Sequence, residues 1–241
     1  MLVVSWLLIG DSKQQPTINN QQFILCLQSL TIMNTQNVNT EQLISQLNNA
    51  PLPTDAISAI AALSASKITE PEAISALIQA FSHHHPSVGK AAVEALVKLA
   101  PASVEPLIFA FRNSPDQGVQ AHIIQALALI GDKRAVDLLA EVVGTEVANH
   151  CQGNVRRIAA RGLGKIGRTA EQPEVIRYAV EKLTWALLTP EDWGLRYAAA
   201  VSLQEIATPA AYAALQASLN QEADKVVRSR ITMAATKNLP D

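Results

Sequence analysis

An imidazole stands beside a thiol at His150-Cys151, and Arg156, Arg157, Arg161, Lys165 and Arg168 follow along the next stretch of chain. Asn154 reads as the N-cap of the helix carrying those cations, which sets Cys151 on an inserted loop just ahead of a helix N-terminus. The positive end of the helix dipole and nearby guanidinium groups favour thiolate over thiol there. Histidine titrates near neutral pH and can move a proton without further tuning. His150 and Cys151 are therefore a candidate reactive pair; the same two residues also read as a small hydrophobe beside a surface histidine.

Arg157, Arg161 and Lys165 recur at i, i+4 and i+8, with Arg168 three further on, so they share one helix face. Such a cluster can pair with carboxylates of a ligand or a partner protein, or form a solvated helix face. Trp193, Arg196 and Tyr197 gather aromatic and basic character at another helix start, suited to a flat conjugated ligand, to a partner surface or to packing between repeats. His83, His84 and His85 are consecutive and cannot converge comfortably on one tetrahedral ion, so they read as an inter-repeat turn. His122, beside Ile123 and Ile124, reads as a packing or groove histidine. The chain shows no Walker loop, dinucleotide fingerprint, H-E-x-x-H or G-x-S-x-G.

What positions these residues is an internal repeat. Segments 87–100, 118–131, 154–167 and 194–207 align without gaps, and 225–238 is a degraded fifth copy. Their anchors are Val88, Val119, Val155, Leu195 and Val227. Apolar or small residues fall at the anchor, +4, +7, +8 and +11, one face of a helix. A second helical pattern precedes each copy, over 71–81, 104–111, 134–143, 175–188 and 209–219. Gly131, Gly144 and Gly167 are expected at helix C-caps, Pro71 and Pro209 in first turns. Helix pairs that cannot bury their apolar faces alone must stack, which predicts an all-α, HEAT-like α-solenoid of about five to six helical hairpins. Asp192 with Arg196 and Asp224 with Arg228 occupy matching places, read as an inter-repeat polar ladder; Asp116 keeps the acid but has Gln120 in place of the arginine. The spacing widens between Val119 and Val155, around 145–154, and again before Leu195, where it feeds a longer outer helix and the loop 189–194.

Composition agrees with that architecture. Of 241 residues, 38 are alanine and 4% aromatic, favouring close-packed small-residue helices over a sheet sandwich. A net charge of -2 argues against a nucleic-acid binder. Cys26 and Cys151 are too few for a disulfide scaffold and suit a reducing compartment, so a cytoplasmic protein is expected. The apolar run 2–9 is too short to span a bilayer, and no membrane association is expected. Residues 1–32 are read as a non-native or disordered extension from a start codon placed ahead of Met33, 33–53 as an N-terminal helical cap, and 54–241 as the repeat domain.

The repeats from about 54 to 241, with their Asp, Val-Arg and Ala-Ala-Leu pattern, resemble the F-type subunits of heterodimeric E/F phycobilin lyases. These attach open-chain tetrapyrroles to cysteines of cyanobacterial phycobiliproteins. The stretch DWGLRYAAAVSLQEI (192–206) looks like their best-kept repeat. The run NHCQGN (149–154) is similar to the motif of the isomerising branch, which makes phycoviolobilin on the phycoerythrocyanin α subunit. The resemblance implies a lyase-isomerase that works with an E-type partner on the apo α subunit and transiently meets phycobilisome subunits. It implies phycocyanobilin as substrate and no cofactor or metal. On this reading His150 is the proton shuttle, and Cys151 a second acid/base or a transient nucleophile. Asn149, Gln152, Asn154, Arg156, Arg157, Arg161, Trp193, Arg196 and Tyr197 are expected to bind the bilin, the arginines at 156, 157 and 161 from position alone. A non-isomerising lyase, a bilin chaperone subunit and a protein-binding scaffold are the alternatives.

Overall fold

The computed structural model describes residues 39–66, 69–145, 150–189 and 192–236, with the side chains of 150–152 outside that description. The chain divides into two compact units, 1–42 and 43–241. Residues 1–38, and with them the expected extension, lie outside the described residues.

All regular structure among the described residues is helical. Residues 39–48 form α1, with its stretch from Leu43 onward in the larger unit. There follow α2 (Pro53–Ala65), α3 (Pro71–Gln79), α4 (Pro86–Lys98), α5 (Val104–Asn113), α6 (Gln117–Ile130) and α7 (Val136–Gly144). The chain continues through α8 (His150–Thr169), α9 (Pro173–Leu188), α10 (Trp193–Ile206), α11 (Pro209–Leu219) and α12 (Lys225–Thr236). Proline opens α2, α3, α4, α9 and α11, where a missing N–H costs nothing and the ring presets φ.

The even helices α2 to α12 pack successively on one another, and odd helices α3 to α11 form a second layer. This is the stacked-hairpin arrangement that the repeat requires. Anchors Val88, Leu195 and Val227 are fully buried, and Leu96, Leu127, Leu163, Ile166 and Leu203 continue the same face into a single core. The close approach of α8 to its neighbours depends on glycine. A Cβ at Gly162 would lie 2.8 Å from the Ala128 backbone, and one at Gly164 would lie 2.5 Å from Ser202 Cβ. Ser202 uses the space to donate to the Ala160 carbonyl at 3.0 Å.

Three local expectations are corrected. Helix α8 begins at His150, so Asn154 is an exposed interior residue and not its N-cap, and His150 and Cys151 stand in the helix's first turn instead of on a loop. The residues that widen the repeat lengthen α8 to 20, against 14 in α6; Gly153 is buried, so this added turn lies against its neighbours. Gly131 takes the left-handed C-cap conformation at φ 72, but Gly167 is inside α8 against Ile206, and Gly144 ends α7 without positive φ. The polar ladder exists with different wiring: Asp116, Asp192 and Asp224 accept from backbone N–H groups at the starts of α6, α10 and α12. Arg196 instead reaches across to the Glu222 carboxylate of the next repeat, and Arg228 donates to the Glu222 backbone carbonyl.

Candidate functional site

That wiring converges on α8. Arg157 Nη2 lies 2.7 Å from Asp192 Oδ1, with Nε 3.2 Å from Oδ2, and the guanidinium carbon sits 5.9 Å from the Trp193 ring. It passes so close to Gly194 that a Cβ there would fall 2.4 Å from it. Burial works to raise the Asp192 pKa, but Arg157 and the N–H groups of Gly194 and Leu195 outweigh it and hold the carboxyl below its usual value. One turn along, Arg161 donates to Glu205 at 2.6 Å and to the Ser202 hydroxyl at 3.1 Å. Lys165 donates to the Leu129 carbonyl.

These three cations border a groove of about 640 Å³ between α6, α8 and α10, which Gln125 and Leu129 line from the other side. The volume falls within the range of pockets for medium-sized organic ligands. Leu129 is 48% exposed, and at the start of α10 Trp193 is 50% and Tyr197 37% exposed. Trp193 and Tyr197 are one turn apart and share a helix face. Trp193, beside Arg157, and Tyr197 stand on α10 outside the lining, and the groove itself joins apolar surface to guanidinium groups already oriented by acids. Glu205 lines it as well, which sequence reasoning missed; its place ten residues after an anchor, matching Lys165, was the available signal.

The structure does not gather all the expected binding residues. Arg156 is only 7% exposed and donates through Nε to the Val143 carbonyl at 2.9 Å, away from the groove that Arg157 and Arg161 line. Burial pushes its guanidinium pKa down. Arg196 turns to the next repeat, where Glu222 takes its Nε at 2.7 Å and its Nη2 at 3.0 Å. Asn149 lies outside the described residues, as do the side chains of His150, Cys151 and Gln152. His85 accepts from Ser87 N at the start of α4, and the His83 and His84 rings stack at 4.3 Å, a turn arrangement. His122 packs on Phe81 at 5.3 Å, and burial lowers its pKa.

The fold defines a HEAT-repeat protein, and the family model for HEAT repeats matches residues 40–108, 104–177 and 145–236. Over 198 residues the chain is 69% identical to the bilin biosynthesis protein PecF of Mastigocladus laminosus, covering 81% of this chain and 93% of that protein. PecF of Nostoc sp. is 68% identical over 163 residues, covering 68% of this chain and 94% of the relative. In the solved complex of CpcE and CpcF of phycocyanin lyase from Nostoc sp., a chain 32% identical superposes with a TM-score of 0.60, covering 69% of this chain and 100% of that one. The chain belongs to the HEAT-repeat family of F-type phycobilin lyase subunits.

Proposed function

We propose that this protein, with an E-type partner, joins phycocyanobilin to a cysteine of the apo phycoerythrocyanin α subunit and isomerises it to phycoviolobilin. The observation that carries the reading is the 69% identity to PecF across nearly the whole of that relative. The groove adds a physical basis. A linear tetrapyrrole offers a flat conjugated body and two propionates. Leu129 and Ile158 in the groove supply apolar surface for the body, the exposed Trp193 and Tyr197 rings on α10 outside the lining are assigned to extend it, and Arg157 and Arg161 supply charge-assisted donors for propionate.

The chemistry has two parts. Addition of the acceptor thiol across the ethylidene double bond forms one C–S bond, and the thiol proton passes to the conjugated system. Isomerisation moves a second proton from one carbon to another, with no net change in composition. His150 is assigned the second transfer, and Cys151 acts as a further acid/base or adds transiently to the bilin. Both stand in the first turn of α8, where backbone N–H groups lack intrahelical acceptors and favour an anion. Asn149, Gln152 and Asn154 are assigned polar contacts to the bilin. No helix among the described residues is long and apolar enough to cross a membrane; a cytoplasmic site of action, beside phycobilisome subunits, is part of the proposal.

The test is coexpression of His150→Ala or Cys151→Ser with the partner, phycocyanobilin and the apo α subunit. Attachment is expected to survive better than isomerisation, giving a longer-wavelength phycocyanobilin adduct. Phycoviolobilin formed at the parental rate by both variants overturns the assignment.

A further inference from the structure

Arg156 is a buried cation with no carboxylate in contact: Asp192 acts on it only at a distance and is itself paired with Arg157. Of its five N–H donors, one is used on the Val143 carbonyl, and no other hydrogen-bond acceptor for it occurs among the described residues. Arg196, at the same register position two helices on, shows the ordinary arrangement, its guanidinium held in a fork by Glu222. Arg156 instead lines a cavity of about 120 Å³ with Phe111, Gln117, Gln120, Val142 and Val155. A water occupies about 30 Å³ of the liquid, so that space accepts a small group and not a tetrapyrrole. Gln120 already donates to the Ser114 carbonyl at 2.9 Å and leaves its oxygen to face the space; with Gln117, Thr145 and the Arg156 fork it makes the polar part of a wall completed by apolar side chains.

We propose that this cavity between α6 and α8 binds one carboxylate on a short aliphatic arm, received by the Arg156 guanidinium. A largely buried guanidinium whose nearest counter-charge is held by another arginine keeps its fork open toward the cavity, and a bidentate carboxylate is the group that matches it. The inference rests on the proposed bilin reading only for one of two sources, a bilin propionate; the other is an acidic side chain of a partner protein. Val155, in the cavity wall, stands one helical turn after Cys151, so a propionate held here would tether its tetrapyrrole next to the first turn of α8. Ala121, which also lines the cavity, and Gln125, which lines the larger groove, are likewise one turn apart on α6.

The test begins with sodium propionate against sodium chloride at equal ionic strength. Propionate is expected to raise the Tm of the native protein and not that of Arg156→Met, while the apo variant melts at or above the parental temperature. Phycocyanobilin and its dimethyl ester then separate the sources. A bilin source predicts about tenfold or greater loss of diacid affinity in the variant with diester affinity unchanged. A protein source predicts unchanged bilin affinity and a comparable loss toward the E-type partner or the apo α subunit. Propionate acting no differently from chloride on the native protein overturns the proposal, as does a variant that melts lower yet binds every ligand normally. Native protein that ignores phycocyanobilin but responds to propionate overturns the functional reading and leaves this site standing.

Discussion

Arg157 of α8 is anchored by Asp192, the residue whose carboxylate also caps α10, with 2.7 Å between Nη2 and Oδ1 and a 2.9 Å bond from the Gly194 N–H to the same oxygen. One acid therefore starts a helix and orients a groove cation from the preceding repeat. Asp192→Ala is expected to cost about 1–2 kcal/mol in urea denaturation through the lost cap. Asp192→Asn keeps a capping oxygen and should cost less than about 1 kcal/mol, the scale of a partly exposed ion pair. Equal losses in both would show the charge, not the cap, to be the main contribution.

Gly164 tests whether α8 and α10 need their close approach. A methyl group there meets Ser202 2.5 Å away, so Gly164→Ala is expected to destabilise by about 1–3 kcal/mol despite the better helix propensity of alanine. Gly144 has nothing within 4 Å of a built Cβ, and Gly144→Ala should be neutral or slightly stabilising. Thermal melts of the two variants should therefore shift differently, and a parental Tm for Gly164→Ala would refute the packing argument.

Acid sensitivity should come from the carboxylates held by arginine. The Arg196 hydrogen bond keeps the Glu222 pKa below its usual value, and its side chain is only 4% exposed; Glu141 and Asp132 are likewise lowered, through Arg112 and Arg134. A depressed folded-state pKa contributes stability that is complete above the unfolded value and lost as pH falls through the folded one. The urea midpoint should thus hold from neutral pH down to about 5 and decline through and below about 4. Glu222→Gln should start lower at neutral pH and lose less on acidification. An acid limb unchanged in that variant would exclude Glu222 as a contributor.

Much of this was legible because a 3.6-residue period is a local property. The helix pairs follow from Val88, Val119, Val155, Leu195 and Val227 and the apolar positions after each, and Gly131 and the first-turn prolines mark ends through their own backbone preferences. What the residues do between helices was less legible. Asp192 was matched with Arg196 by position, yet binds Arg157, because the stagger of α8 on α10 is set by glycine contacts that no single helix encodes. Asn154 looked like a cap, but burial of Gly153 favours continuing the helix back to His150. Arg156 and Arg157 are neighbours in sequence and about 100° apart around α8, so one is buried and the other borders the groove. The Val-Arg register shared with Arg196 and Arg228 was the signal that sets Arg156 apart from the solvent-facing cations.

The groove makes a prediction of opposite signs. Arg161 is held by Glu205 at 2.6 Å, and both line the same space, so an incoming carboxylate must compete with Glu205 for the guanidinium and is repelled by it. Glu205→Gln frees the cation and removes the repulsion, while the Ser202 hydroxyl still orients Arg161. Phycocyanobilin affinity, followed by absorbance titration with the E-type partner present, should rise several-fold in Glu205→Gln and fall about tenfold in Arg161→Met, on the scale of a lost charge-assisted hydrogen bond. The dimethyl ester should be indifferent to both substitutions. Were Glu205→Gln to weaken diacid binding, the carboxylate would be a positioning group for the substrate's pyrrole N–H donors and Arg161 would serve the ladder alone.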